Sequence, residues 1–292
     1  MKLTKSLIAL TAIVLTAQSF ASQKSIDVIY GEDNRVDVYA SNNANFVELS
    51  KSTAAMIPAT NLKSILGGSV EISGKTLQQR GICAKERFSQ QISAANCSGF
   101  LVGKNKLVTA GHCIKSQADC DSYKWVFDFK VDHEKQGNVT VAQSSVYSCK
   151  KIISRALNNF NKDDYALIEL ERSVTDRQPL KFRRSGKISA GAPLVVMGYP
   201  TGIPAKIADG ANVRSLSGKF FTANLDTYGG NSGSAVFNVE TEEVEGILVR
   251  GDTDYVYSSA DGCQVSNRCA DTGCRGEDVT YITNIPGMKN IR

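Results

Sequence analysis

An all-β fold, a barrel or a sandwich, is what this sequence predicts, and three observations predict it. Short β-branched and aliphatic runs recur between Gly, Asn and Asp; their spacing is regular; and few stretches of the 292 residues carry a helical period. After removal of a leader, about 270 residues suffice for one large β domain or two smaller lobes around a shared cleft. The runs are Phe46 to Leu49, Phe100 to Val102, Lys106 to Thr109, Trp125 to Phe129, Val139 to Ala142, Ala166 to Leu170, Leu194 to Met197, Ala235 to Val239 and Val244 to Val249. No Pro-, Ser- or charge-rich linker divides them, and no internal repeat is visible.

Residues 1–21 combine Lys2 and Lys5, an apolar run from Leu7 to Leu15 and a small-residue end at Ser19-Phe20-Ala21. This pattern predicts a cleavable signal peptide, because the run is too short to span a bilayer and leads into an A-x-A-like site. A secreted or periplasmic location is therefore expected. Loss of the leader takes 34 basic against 29 acidic residues to 32 against 29, a formal charge of +3. So mild and mixed a charge gives no reason to expect nucleic acid or a membrane surface as a partner. All eight cysteines lie beyond the leader, and an even count in an exported chain reads as disulfides. Cys263, Cys269 and Cys274 lack a paired C-x2-C, and Asp252, Asp254, Asp261 and Asp271 lack the spacing of a calcium loop, so neither metal nor cofactor is expected.

One stretch is costly enough to need a purpose. Gly229-Gly230-Asn231-Ser232-Gly233-Ser234 packs three glycines around a serine just before an apolar run, and glycine gives up the most backbone entropy on being fixed. A tight turn there projects the Ser232 hydroxyl and lets the N–H groups of Gly230 and Ser232 converge on one point, where a developing oxyanion can be held. A glycine-rich hairpin turn is the simpler alternative for such a pentapeptide. Serine needs a base, and the chain has only two histidines. His133 sits in the charged stretch Lys130 to Gln136 and reads as solvated, whereas His112 follows the strand-like run Leu107 to Thr109. Asp164 opens the apolar run Tyr165-Ala166-Leu167-Ile168 and is the better candidate to orient an imidazole; its neighbour Asp163 reads as solvated.

Taken in order, Thr109-Ala110-Gly111-His112-Cys113, Asp164-Tyr165-Ala166-Leu167-Ile168 and Gly230-Asn231-Ser232-Gly233-Ser234 resemble the chymotrypsin-like serine peptidases. The Asn231 form of the last motif, with Tyr30 to Arg35 near the expected start, looks like the bacterial glutamyl-endopeptidase-like branch. This resemblance implies two six-stranded Greek-key β-barrels within residues 22–292, with the active site in the cleft between them. It implies His112, Asp164 and Ser232 as the catalytic residues, Gly230 and Ser232 as oxyanion donors, and a disulfide between Cys97 and Cys113. A competing scheme, Cys83 with Cys97 and Cys113 with Cys120, stays open.

The same resemblance makes Asp226 and Thr227, on the approach to Ser232, and Leu248, Val249 and Arg250, in the following strand, the expected substrate-binding residues. Aspartate at 226 would favour Arg or Lys before the scissile bond, although the branch also carries D-T-x-x-G-x-S, which leaves the direction of that side chain open. Leu248 stands where the branch has a histidine tied to glutamate preference, so that preference loses its main residue; Arg250 is a weaker attractor for an acidic side chain. The activity implied is a secreted serine endopeptidase, expected as a monomer acting on proteins or peptides. The alternative is a catalytically silent secreted binding protein on the same fold. Asn231 is neutral and cannot offset a buried N-terminal ammonium, so activation is expected on leader removal alone; a segment ending near Arg80 is the competing possibility.

Overall fold

A computed structural model of the chain describes residues 29–134 and 137–291, so the leader expected at 1–21 lies outside the described residues. Among these, strands β1 (Thr53–Pro58), β2 (Cys97–Gly103), β3 (Lys106–Thr109), β4 (Tyr123–Phe127), β5 (Val146–Leu157) and β6 (Asp164–Leu170) close one barrel. A second consists of β7 (Pro193–Gly198), β8 (Lys206–Leu216), β9 (Phe220–Ala223), β10 (Ala235–Asn238), β11 (Val244–Arg250) and β12 (Glu277–Tyr281). Each is six-stranded and antiparallel, and each runs first, second, third, sixth, fifth, fourth strand and back to the first, so the third strand pairs with the sixth in a Greek-key order. The expected all-β fold of two such barrels is the fold observed.

Both faces of the seam strands are buried, which explains why their sequences read as continuous apolar runs rather than alternating ones. In β1, Ala54 and Met56 point into the first barrel with Leu101, Trp125 and Phe127, while Ala55 and Ile57 join the seam with Phe100, Val108, Phe129, Val195, Tyr199 and Phe237. The second barrel has its own core of Leu194, Val196, Phe221, Val236, Leu248, Val279 and Tyr281.

Two of the expected runs differ in the structure. Phe46 to Leu49 lies in a helix, Ala44–Ser50, because the Asn43 side chain caps it by accepting the N–H groups of Asn45 and Phe46 at 3.0 and 3.2 Å. Four residues are too few to show a period, and the cap decided the outcome. The run Trp125 to Phe129 stops pairing at Phe127, where Asp128 takes φ 64°.

Four disulfides join Cys83 to Cys263, Cys97 to Cys113, Cys120 to Cys149 and Cys269 to Cys274. The competing scheme of Cys83 with Cys97 is therefore overturned. Of the residues ahead of the first barrel, Ile29–Tyr30 runs parallel to Arg268–Cys269 in a separate two-stranded sheet, and Arg35–Asp37 pairs with Lys206 to Ala208 of the second barrel. Lys206 lies buried there with its Nζ 2.7 Å from Asp37 Oδ1 and donating to Gln91 Oε1, the partners that make a buried ammonium tolerable.

Candidate active site

His112 and Asp164 come from the first barrel and Ser232 from the second. His112 follows the end of β3, and Asp164 is the first residue of β6, whose Ala166 lies opposite Thr109 in the ladder. The Asp164 carboxylate meets His112 twice. Oδ1 accepts the His112 backbone N–H at 3.0 Å, and Oδ2 lies 2.8 Å from ring Nδ1. Asp164 is buried while the imidazole stays about one-third exposed, the arrangement of a ring anchored at one edge and open at the other. Arg155, in β5, holds the histidine loop from outside by donating Nε to the carbonyls of Gly111 and Ile114 at 2.7 and 2.6 Å. No sequence signal marked Arg155, since its two partners lie more than forty positions away.

Ser232 stands on the turn before β10, and the first barrel clamps that turn through Ser98. The Ser98 N–H donates to Ser232 O at 2.8 Å, and its hydroxyl donates to Gly230 O at 2.8 Å. Ser232 O also lies 3.6 Å from Sγ of Cys113, the residue after His112. Such proximity demands a glycine at 233. Its φ is 92°, and a Cβ there would sit 2.0 Å from Ser98 O. Gly233 N–H donates to Leu248 O at 2.7 Å, whereas no hydrogen bond among the described residues uses the N–H of Gly230 or Ser232. Asn231 is buried, its Oδ1 accepting the Ser234 hydroxyl at 3.2 Å.

The expected substrate-binding residues divide. Asp226 turns both carboxylate oxygens onto the N-terminal segment, accepting the N–H groups of Tyr30 and Asn34 at 2.8 and 2.9 Å. It is buried, and that burial, against the pull of the two N–H donors, pushes its pKa up to about 6. Its expected pairing with a substrate cation is corrected accordingly: the carboxylate is spent on backbone amides. Arg250 is likewise committed, its Nε 3.0 Å from Asp278 Oδ2 and its Nη1 3.8 Å from Asp164 Oδ2. Thr227 donates its hydroxyl to Glu277 at 3.0 Å, and Leu248 and Val249 are buried in the second barrel and the seam. Asp163, expected to be solvated, is buried and paired with Lys219 at 3.2 Å. His133 is exposed, as its charged surroundings suggested.

Cys97, His112 and Cys113 lie close enough together to suggest a metal site, but both sulfurs are joined in one disulfide and offer no thiolate.

Residues 97–247 match the family model described as a trypsin-like peptidase domain. The chain belongs to that family. The trypsin-like match takes in all three motifs and stops one residue short of Leu248. Among curated proteins, the extracellular metalloprotease of Bacillus subtilis (strain 168) is 27% identical over 161 residues, covering 52% of this chain and 49% of that protein. The chain thus spans about half the length of this curated relative. Among solved structures, the VesB protease of Vibrio cholerae aligns over 88% of this chain and 64% of its own, with a TM-score of 0.50 and 16% identity. A Glu endopeptidase aligns over 87% of this chain and 94% of its own, with a TM-score of 0.50 and 15% identity. At those identities the two structures speak for the trypsin-like fold alone.

Proposed function

We propose that the protein is a secreted serine endopeptidase that cleaves peptide bonds through an acyl-enzyme on Ser232. The observation that carries this reading is the double contact of Asp164 with His112 beside the clamped Ser232 turn. Asp164 fixes the tautomer with the proton on Nδ1, leaving Nε2 to take the proton of Ser232 as its oxygen attacks the carbonyl carbon. The resulting oxyanion is received by the unspent N–H groups of Gly230 and Ser232. The tetrahedral intermediate collapses with loss of the amine, which takes the proton from His112; water, deprotonated by the same ring, then releases the acid and regenerates Ser232. Four disulfides, with the leader expected at 1–21, support an oxidising location outside the cytoplasm. We take the working unit to be a monomer acting on protein or peptide substrates.

The test is to incubate the purified, oxidised protein with a protein digest and read new termini by mass spectrometry, alongside Ser232→Ala. Cleavage by the parent and a loss of roughly 10⁴-fold or more in kcat in the variant are expected. A folded parent that cleaves nothing would favour the silent binding protein instead.

A further inference from the structure

The two glycines ahead of Ser232 are both pressed against other segments. At Gly230, with φ 95°, a Cβ would come within 2.6 Å of Tyr199 O and 2.7 Å of Gly202 N, and at Gly229 one would come within 3.1 Å of Asp254 Oδ2. Both polar groups of Gly229 are engaged at these contacts. Its N–H donates to the Asp254 carboxylate, 3.0 Å from Oδ1 and 2.9 Å from Oδ2, and its carbonyl accepts the Thr201 N–H at 2.5 Å. The second bond bears on chemistry. A trans peptide unit sets the C=O of Gly229 and the N–H of Gly230 in opposite directions, so a carbonyl fixed on the 200–202 turn aims the Gly230 N–H away from that turn.

Thr201 itself needs holding. It is β-branched yet sits at φ 50° and ψ 21°, a region such residues rarely enter, and strain of that kind persists only where the surroundings over-determine it. Two hydroxyls do so here. Ser93 donates to Thr201 O at 2.6 Å, and the Tyr255 hydroxyl lies 2.9 Å from Thr201 Oγ1. Tyr255 also packs its ring against that of Tyr228, the residue before Gly229, with centroids 4.8 Å apart. Asp254 immediately precedes, and Tyr255 begins, a hairpin in which Tyr255–Ser258 pairs with Cys263–Ser266. The Cys83–Cys263 disulfide and two backbone bonds, Gln264 N–H to Gly81 O and Cys83 N–H to Gln264 O, tie that hairpin to residues 81–83.

Resting on the peptidase reading, we propose that Asp254 is a positioning residue for the oxyanion donor of Gly230, seconded by Tyr255 acting through Thr201. Ser98 holds the far side of the nucleophile turn through Gly230 O, and this pair holds the near side through Gly229. A carboxylate accepting a backbone N–H makes a stronger bond than a neutral acceptor would. The hairpin thereby supplies an order that the neutral Asn231 cannot draw from a buried ammonium. Loss of the Asp254 carboxylate frees the Gly229–Gly230 peptide unit to turn, and the donor leaves the point where the oxyanion forms.

The experiment takes a peptide from the parent's own cleavage sites and the matching peptide aldehyde, whose hemiacetal oxygen occupies the oxyanion position. It compares kcat and KM for the peptide, and Ki for the aldehyde, in the parent, Asp254→Ala and Asp254→Asn. In Asp254→Ala, kcat is expected to fall about fiftyfold with KM changed by less than about threefold, and aldehyde binding to weaken by a factor similar to that in kcat. Asp254→Asn, whose amide oxygen can still accept the Gly229 N–H, should lose no more than about fivefold in kcat. An unchanged kcat in the Ala variant, a loss carried by KM, or an Asn variant as poor as the Ala one overturns the proposal and leaves the peptidase reading standing. A parent that cleaves nothing and takes no fluorophosphonate on Ser232 overturns both. Should Asp254→Ala not fold, Tyr255→Phe decides: a fall of about fivefold in kcat with KM unchanged supports the proposal, and an unchanged kcat overturns it.

Discussion

Asp164 holds His112 by both the backbone N–H and ring Nδ1, at 3.0 and 2.8 Å, so one buried carboxylate sets the position of the loop and the orientation of the ring together. The two roles separate in Asp164→Asn. The amide oxygen can still accept the backbone N–H, which preserves the loop, but the amide nitrogen facing Nδ1 donates where an acceptor is needed and selects the wrong tautomer. We expect kcat to fall by about 10⁴-fold with KM changed little, while the melting temperature stays near that of the parent. Steady-state kinetics and a thermal melt on the same preparation check both halves. A variant that keeps most of its kcat would remove Asp164 from the site.

Asp226 makes stability depend on pH in a direction opposite to that of most surface acids. Burial lifts its pKa from 3.8 to about 6, so the folded chain holds this proton more tightly than the unfolded chain does. The contribution is fully present below the unfolded value of 3.8 and is lost as pH rises through about 6. Relative to Asp226→Asn, which does not titrate, the parent should lose up to roughly 3 kcal/mol between about pH 4 and about pH 7. Denaturant midpoints of the two proteins across that range measure it. A parent that instead gains stability over the variant as pH rises would mean that the amides of Tyr30 and Asn34 keep the carboxylate charged.

What was legible in the sequence was local, and what escaped it was distant. The three motifs around His112, Asp164 and Ser232 are each a few adjacent residues whose turn glycines and apolar flanks announce themselves. Asp226 finds its partner Tyr30 at a separation of 196 positions, and Thr227 finds Glu277 fifty positions on, so spacing along the chain carried no sign of either. Strands were missed for a related reason. Lys206 and Glu277–Asp278 place charges at fully buried positions of β8 and β12, which breaks the apolar pattern by which a buried strand is recognised. Those charges are tolerated because partners from other segments meet them.

Activation should require no cut near Arg80. Strand β1 pairs with both β2 and β4 and closes the first barrel, and Cys83 is tied to Cys263. Loss of everything before Gly81 would remove that strand, along with the amides of Tyr30 and Asn34 that hold Asp226. N-terminal sequencing of the active species is expected to find a start between Ser22 and Ile29. Activity that appears only once the chain begins near Gly81 would show that the strand is dispensable.

The nucleophile is the centre of the account, and adduct mapping tests it most directly. The oxidised protein is treated with a fluorophosphonate, assayed, digested and sequenced by mass spectrometry. A single phosphonyl adduct is expected on Ser232, formed in step with the loss of peptidase activity and absent from a His112→Ala variant. Full activity in a protein that carries no adduct, or inactivation that tracks an adduct on any residue other than Ser232, would contradict it.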